Sequence, residues 1–209
     1  MSTSEVRETP ERATPGMRDA VTMGHHVIRY GWALSRVAGL HVLDLGCGAG
    51  YGTEILSWAA RSARGFDLWR PEPGQEPSWP GPAALTWGHD LCADELPRAN
   101  AGVMFEVLEH LPAPEAALDR VFAAVDTLVV SFPNPALHGS HANPHHVNDW
   151  ALHEVHGALR AAADRHHELV QIDAFAQRAA TGAILPGAGD GDDFWIFAVG
   201  TDGRRGSAS

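Results

Sequence analysis

Apolar residues along the chain fall into short blocks separated by glycine, proline and charged positions, and the spacing changes from block to block. Between Met23 and Ala38 the set Val27, Ile28, Trp32, Leu34, Val37 and Ala38 fits one face of a helix. HVLDLG (41–46) has the density of a short buried strand ending in glycines, and Thr53 to Ala63 reads as the helix after it. ARGFDL (63–68), ALTWGHD (84–90), AGVMFE (101–106) and TLVVSF (127–132) are four further strands. A helix from Leu111 to Val125 separates the last two. RPEPGQEPSWPGPA (70–83) is broken by proline and glycine and predicts a loop, as does PNPALHGSHANPHH (133–146). After a helix from Asp149 to Ala163, HHELVQIDAF (166–175) and DFWIFAVG (193–200) end the pattern as two strands with a glycine-rich connection. Strand and helix alternate without a repeat, which predicts an α/β fold: a doubly wound, seven-stranded, mostly parallel sheet. The final pair lacks a full crossover helix, so one strand should be antiparallel and inserted near the sheet's edge.

Composition narrows the class. The 209 residues are 44% hydrophobic and 20% charged, a globular balance that fits one domain over 20–200. Residues 1–19 and 201–209 lack apolar periodicity and are expected to be disordered tails that do not touch the functional pocket. No apolar run reaches the roughly 20 residues of a membrane span, and the polar N-terminus is unlike a signal peptide. Cys47 and Cys92 are too few for a disulfide framework, so a cytoplasmic location is expected. The net charge of −11 and the lack of a local basic stripe argue against a nucleic-acid substrate. Membrane partners are not expected either, and a small-molecule acceptor is.

The strongest chemical signal is Asp44-Leu45-Gly46-Cys47-Gly48-Ala49-Gly50-Tyr51-Gly52, after a strand and before a helix. Gly46, Gly48 and Gly50 permit positive φ and let a ligand pack on bare backbone. Asp67, ending the next strand, can accept both hydroxyls of an adenosine ribose. A dinucleotide site has glycines as G-x-G-x-x-G. Here they fall at every second position, with an acid two residues before the first. This pattern resembles motif I of class I S-adenosylmethionine-dependent methyltransferases, in which an acid suits a cationic sulfonium donor. RYGWAL, GHD, FEVLEHL and SFPNP, within roughly 24–200, resemble further landmarks of that family. The resemblance implies that Asp90 meets the adenine amino group, that Tyr30 lies near the methionine end, and that Phe105 belongs to the donor site. A nicotinamide-dependent oxidoreductase fits less well, because of the glycine spacing and the lack of a Tyr/Lys pair. The fourth strand also lacks the Asn/Asp-Pro-Pro-aromatic clamp of a DNA N-methyltransferase.

FEVLEHL carries the acceptor chemistry. If a helical turn starts near Glu106, then Glu106, Glu109 and His110 lie at i, i+3 and i+4 and converge. Two carboxylates and an imidazole that close together need a shared proton or cation. The following loop and helix add His138, His141, His145, His146, His153 and His156. NPHHVNDW resembles the H-x-x-[ED]-W element of two metal-using O-methyltransferase families, acting on small-RNA termini and in the ubiquinone pathway. That resemblance implies a cation held by Glu106, Glu109, His110 and His146. Such a mixed O/N set suits Mg²⁺ or Mn²⁺, with Zn²⁺ or Fe²⁺ left open. The expected catalytic residues are therefore His110, Glu109 and His146, and the expected reaction is O-methylation of a small molecule. The alternatives are His110 as a metal-free general base, or a non-catalytic domain that binds the donor. His25, His26, His41, His166 and His167 read as element ends or surface, and Trp69, Trp79 and Trp87 as core or an aromatic wall.

Overall fold

The computed structural model describes residues 20–70 and 83–204. The elements run α1 (Ala20–Val37), β1 (His41–Leu45), α2 (Tyr51–Ser57), β2 (Ser62–Asp67), β3 (Ala84–Trp87) and β4 (Ala101–Phe105). A 3₁₀ turn (Leu108–His110) follows, then α3 (Pro114–Ala124), β5 (Thr127–Pro133) and α4 (Pro135–His138). α5 (Leu152–His166), β6 (His167–Gln177), β7 (Ile184–Pro186) and β8 (Phe194–Arg204) complete the chain. Residues 1–19 and 205–209, most of the expected tails, and 71–82 with Trp79, lie outside the described residues.

All the strands form one sheet in the order β3-β2-β1-β4-β5-β8-β6-β7. β3, β2, β1, β4 and β5 pair in parallel, whereas β8 is antiparallel to both β5 and β6. The expected doubly wound sheet with an inserted antiparallel strand is therefore present. It has eight strands, not seven, because Ile184–Pro186 inside the glycine-rich connection pairs with the end of β6. Three residues bounded by glycines give too short a run to show periodicity. β8 also continues four residues past Gly200 to Arg204, where pairing with β6 holds polar residues in the ladder.

One face of the sheet packs Leu43, Leu45, Met104, Leu128, Val130 and Phe132 against α3 and α5. The other packs Val42, Val103, Phe105 and Val129 against α1 and α2. α1 buries only part of the apolar set that predicts it: Val37 is in the core and Trp32 and Leu34 pack against it. Val27 and Ile28 are 44% and 42% exposed, while His25, Arg29, Tyr30, Ala33 and Val37 are buried. Spacings of three and four residues make that set a continuous stripe. Its polar members can be buried because each has a partner. His25 Nε2 meets the Ala179 carbonyl at 2.9 Å, and Arg29 pairs with Glu106. His167 is buried too, not superficial, with Nε2 3.1 Å from the Phe122 carbonyl.

Candidate active site at the carboxyl edge of the sheet

The carboxyl ends of β1, β2 and β3 form a cradle of backbone. Leaving β1, the chain turns at Gly46, Gly48 and Gly50, with φ of 77°, 53° and 86°. Nothing lies within 4 Å of the place a Gly48 side chain would occupy, so the turn offers bare backbone to open space. Asp67 fixes it from β2, Oδ2 accepting from the Gly48 N–H at 2.7 Å and Oδ1 from the Trp69 N–H at 2.8 Å. From β3 the Trp87 indole donates to the Gly48 carbonyl at 3.2 Å. Trp87 is thus part of the cradle, a role its sequence context did not announce. Asp90 sits in the turn beyond β3, where its carboxylate accepts from the Cys92 N–H at 2.8 Å.

Asp44, Tyr30 and Phe105 lie beneath the cradle. The Asp44 carboxylate is fully buried and accepts from the Tyr30 hydroxyl at 3.0 Å and the Thr53 hydroxyl at 2.6 Å. Burial, partly offset by those two hydroxyls, pushes its carboxyl up to about 7. Asp44 therefore ties α1, β1 and α2 together from below and does not face outward. The Tyr30 ring fills the space left by the missing side chain of Gly52, where a Cβ would stand 2.0 Å from it. It packs edge-on against Phe105, with ring centroids 5.0 Å apart. The Tyr51 hydroxyl, at the start of α2, hydrogen-bonds His26 Nδ1 at 2.8 Å. Burial and the nearby Arg29 charge depress the His26 imidazole to about 3, so it is neutral.

A second group forms where β4 and β5 end. Candidate ligand atoms of Glu109, His110 and His146 lie within 4.8 Å of one another. Ligands around Mg²⁺ or Mn²⁺, at bonds of about 2.1 Å, stand roughly 3–4 Å apart, so a small contraction would close the set. Glu109 is fully buried and neither carboxylate oxygen has a hydrogen-bond partner. Burial raises its carboxyl well above the ordinary range, and the Glu106 charge adds to this. His110 Nδ1 lies 3.1 Å from the His145 carbonyl, which can only accept. An N–H on Nδ1 satisfies that carbonyl, and Nε2 lies 3.8 Å from Glu109 Oε1. His146 hydrogen-bonds the backbone of His138, and its Nδ1 is buried without a partner. Burial, then the neighbouring His110, hold that imidazole below its usual value.

Backbone contacts bring the two loops together. The Glu109 carbonyl accepts from the N–H groups of Val147 and Asn148 at 2.8 and 3.1 Å. The Asn148 side-chain amide donates to the carbonyls of Leu108 and Leu111 at 2.9 and 2.7 Å. At the other end of the loop Asn134 donates to the carbonyls of Asp190 and Asp192. Of the remaining loop and helix histidines, His138 stacks on Phe194, while His141, His145, His153 and His156 are exposed.

Glu106 does not join this group. It has φ of +55°, the one described non-glycine residue with positive φ, so no helical turn begins there. The i, i+3, i+4 convergence is thereby lost. Its Oε1 lies 2.6 Å from Arg29 Nη1 and accepts from the Ser131 hydroxyl at 2.6 Å. Burial works to raise the Glu106 carboxyl, but Arg29 and Ser131 outweigh it and hold it low. Arg29 stood in the RYGWAL landmark, but nothing in the sequence paired it with a residue so distant.

Comparison with known proteins agrees with this geometry. A methyltransferase-domain family matches residues 22–181. A probable S-adenosylmethionine-dependent methyltransferase of Mycolicibacterium smegmatis is 27% identical over 203 residues, covering 84% of this chain and 79% of that protein. A possible histamine N-methyltransferase of Thermotoga maritima superposes with a TM-score of 0.66 at 12% identity, covering 87% and 92% of the two chains. The N-methyltransferase NodS of Bradyrhizobium japonicum, in complex with S-adenosylhomocysteine, gives 0.59 at 16% identity, with 88% and 89% covered. Cradle, buried acid, sheet order and family match converge, and the chain belongs to the S-adenosylmethionine-dependent methyltransferases of the Rossmann-like class.

Proposed function

We propose that this enzyme methylates a hydroxyl oxygen of a small molecule, and that Glu109, His110 and His146 hold a divalent cation, Mg²⁺ or Mn²⁺, beside the donor. The observation that carries the reading is Glu109. A buried carboxylate with two unpartnered oxygens is costly unless something positive shares its site. One ring nitrogen each of His110 and His146 lies within 4.8 Å of a Glu109 carboxylate oxygen. Bound S-adenosylmethionine supplies a methyl group on a sulfonium sulfur; the C–S bond breaks as the O–C bond forms, and the hydroxyl loses its proton. A cation on the three side chains would supply positive charge that makes such a hydroxyl more acidic. Gly46–Gly50 and Asp67 orient the donor, so in-line geometry is the main contribution of the cradle.

The net charge of −11 supports a small acceptor over a nucleic acid. Two free thiols, Cys47 and Cys92, suit a reducing compartment such as the cytoplasm. The Nδ1 contact of His110 with the His145 carbonyl favours a second reading, in which Nε2 takes the hydroxyl proton with no cation present. His146→Ala separates the two. Under the cation reading it abolishes Mn²⁺ binding and release of S-adenosylhomocysteine across a panel of phenols and polyols, while S-adenosylhomocysteine still binds. Full activity after exhaustive chelation would leave His110 as the base.

A further inference from the structure

Glu106 is the residue whose position the sequence mispredicts, and the structure supplies the means that keep it aside. Its backbone leaves β4 left-handed, an uncommon conformation for a side chain with a Cβ. Ser131 of β5 accounts for this with a single buried hydroxyl. Its Oγ accepts from the Glu106 N–H at 3.0 Å and from Arg29 Nη1 at 3.1 Å, and it donates to Glu106 Oε1 at 2.6 Å. Arg29 itself is 1% exposed, and its guanidinium lies over the Phe194 ring, 4.8 Å from the centroid. Were Glu106 to turn toward Glu109, it would strand a buried guanidinium without its counter-charge. Glu106 nonetheless stands three residues before Glu109 and four before His110 in the chain. It is a neighbour of the cluster, held out of it.

We propose that Arg29 and Ser131 are positioning residues that withhold Glu106 from the cation site. This rests on the cation reading above. With Glu106 neutralised by Arg29, the three ligands bring one negative charge, and a divalent ion there keeps a net positive charge toward the acceptor. A second carboxylate would bind the ion more tightly and cancel that charge, because ligand charge count sets affinity. The ion pair thus trades cation affinity for activation of the acceptor oxygen.

The test is a Mn²⁺ titration of the full chain, following free Mn²⁺ by electron paramagnetic resonance, with circular dichroism to confirm folding. Glu109→Gln should weaken Mn²⁺ at least about ten-fold, whereas Glu106→Gln should leave its affinity within about three-fold. Arg29→Met should tighten it about ten-fold or more, and Arg29→Met combined with Glu106→Gln should return it to the wild-type value. Should Arg29→Met not fold, Arg29→Gln removes the same counter-charge with a polar side chain, and its tightening should likewise vanish when Glu106 is changed to Gln. The proposal is overturned if Glu106→Gln weakens Mn²⁺ as much as Glu109→Gln, or if tightening does not depend on Glu106. If wild type binds no Mn²⁺ but Arg29→Met does, through Glu106, withholding stands and the cation reading of the native site falls. If no variant binds Mn²⁺, both fall.

Discussion

Replacing Tyr30 with Phe removes one hydroxyl and leaves the ring that fills the space under Gly52, so its effect isolates a single hydrogen bond to Asp44. The size of that effect should depend on pH. The Asp44 carboxyl titrates near 7 in the folded chain, against about 4 when unfolded. Between these values the native state holds a proton that the unfolded state releases. Wild-type stability from this group is therefore fully present below about pH 4, falls as pH rises toward 7, and is flat above. The ceiling on that fall is about 4 kcal/mol, from roughly three pKa units at 1.36 kcal/mol each. At about pH 5 Asp44 is neutral, and losing the tyrosine bond costs a neutral hydrogen bond, about 0.5–1.5 kcal/mol. At about pH 9 the carboxylate is ionised and the same deletion costs about 1.5–3 kcal/mol. Urea unfolding of wild type and Tyr30→Phe at both pH values gives the difference of differences, in which other titrating groups cancel. It should be about 1–1.5 kcal/mol, larger at high pH. Equal destabilisation at both pH values would mean that Asp44 does not change charge between them, and would refute the reasoning.

Asp67→Ala should weaken S-adenosylhomocysteine binding by about 1–3 kcal/mol in calorimetry, through lost hydrogen bonds to the ligand and a loosened Gly48 N–H. Gly52→Ala drives a methyl group to 2.0 Å from the Tyr30 ring and should cost about 1–3 kcal/mol in thermal unfolding. Combined with Tyr30→Ala, which opens that space, the same alanine should cost less than it does alone.

How far the sequence could be read depends on whether an element is set by its neighbours along the chain. The turn from Asp44 to Gly52 is local: alternating glycines after a buried strand specify its conformation. Glu109, His110 and His146 were also legible, because the first two are adjacent and the loop carrying the third starts from the neighbouring strand. α1 was misread in part, since counting apolar residues ignores that His25 and Arg29 can be buried against partners over 70 residues away. Glu106 failed for a related reason. A helical register assumes ordinary φ, and the left-handed turn at Glu106 depends on Ser131 and Arg29, which no local pattern specifies. Asp44 was recognised, but its burial beneath the turn required the tertiary positions of Tyr30 and Thr53.

At Leu108, Glu109 and Leu111 the contacts joining the two loops of the site use main-chain carbonyls and N–H groups together with the Asn148 amide, and the His110 side chain adds one more through Nδ1 to the His145 carbonyl. Scaffold and chemistry are thereby separable. Exchanging Glu109 for Asp, or His146 for a carboxylate, changes the hardness and charge of the three-residue set while the stitching at Leu108, Glu109 and Leu111 persists. Preference among divalent ions follows donor type. Under the proposed cation reading, the same frame can therefore be retuned from one ion to another by side-chain replacement alone, without redesign of either loop.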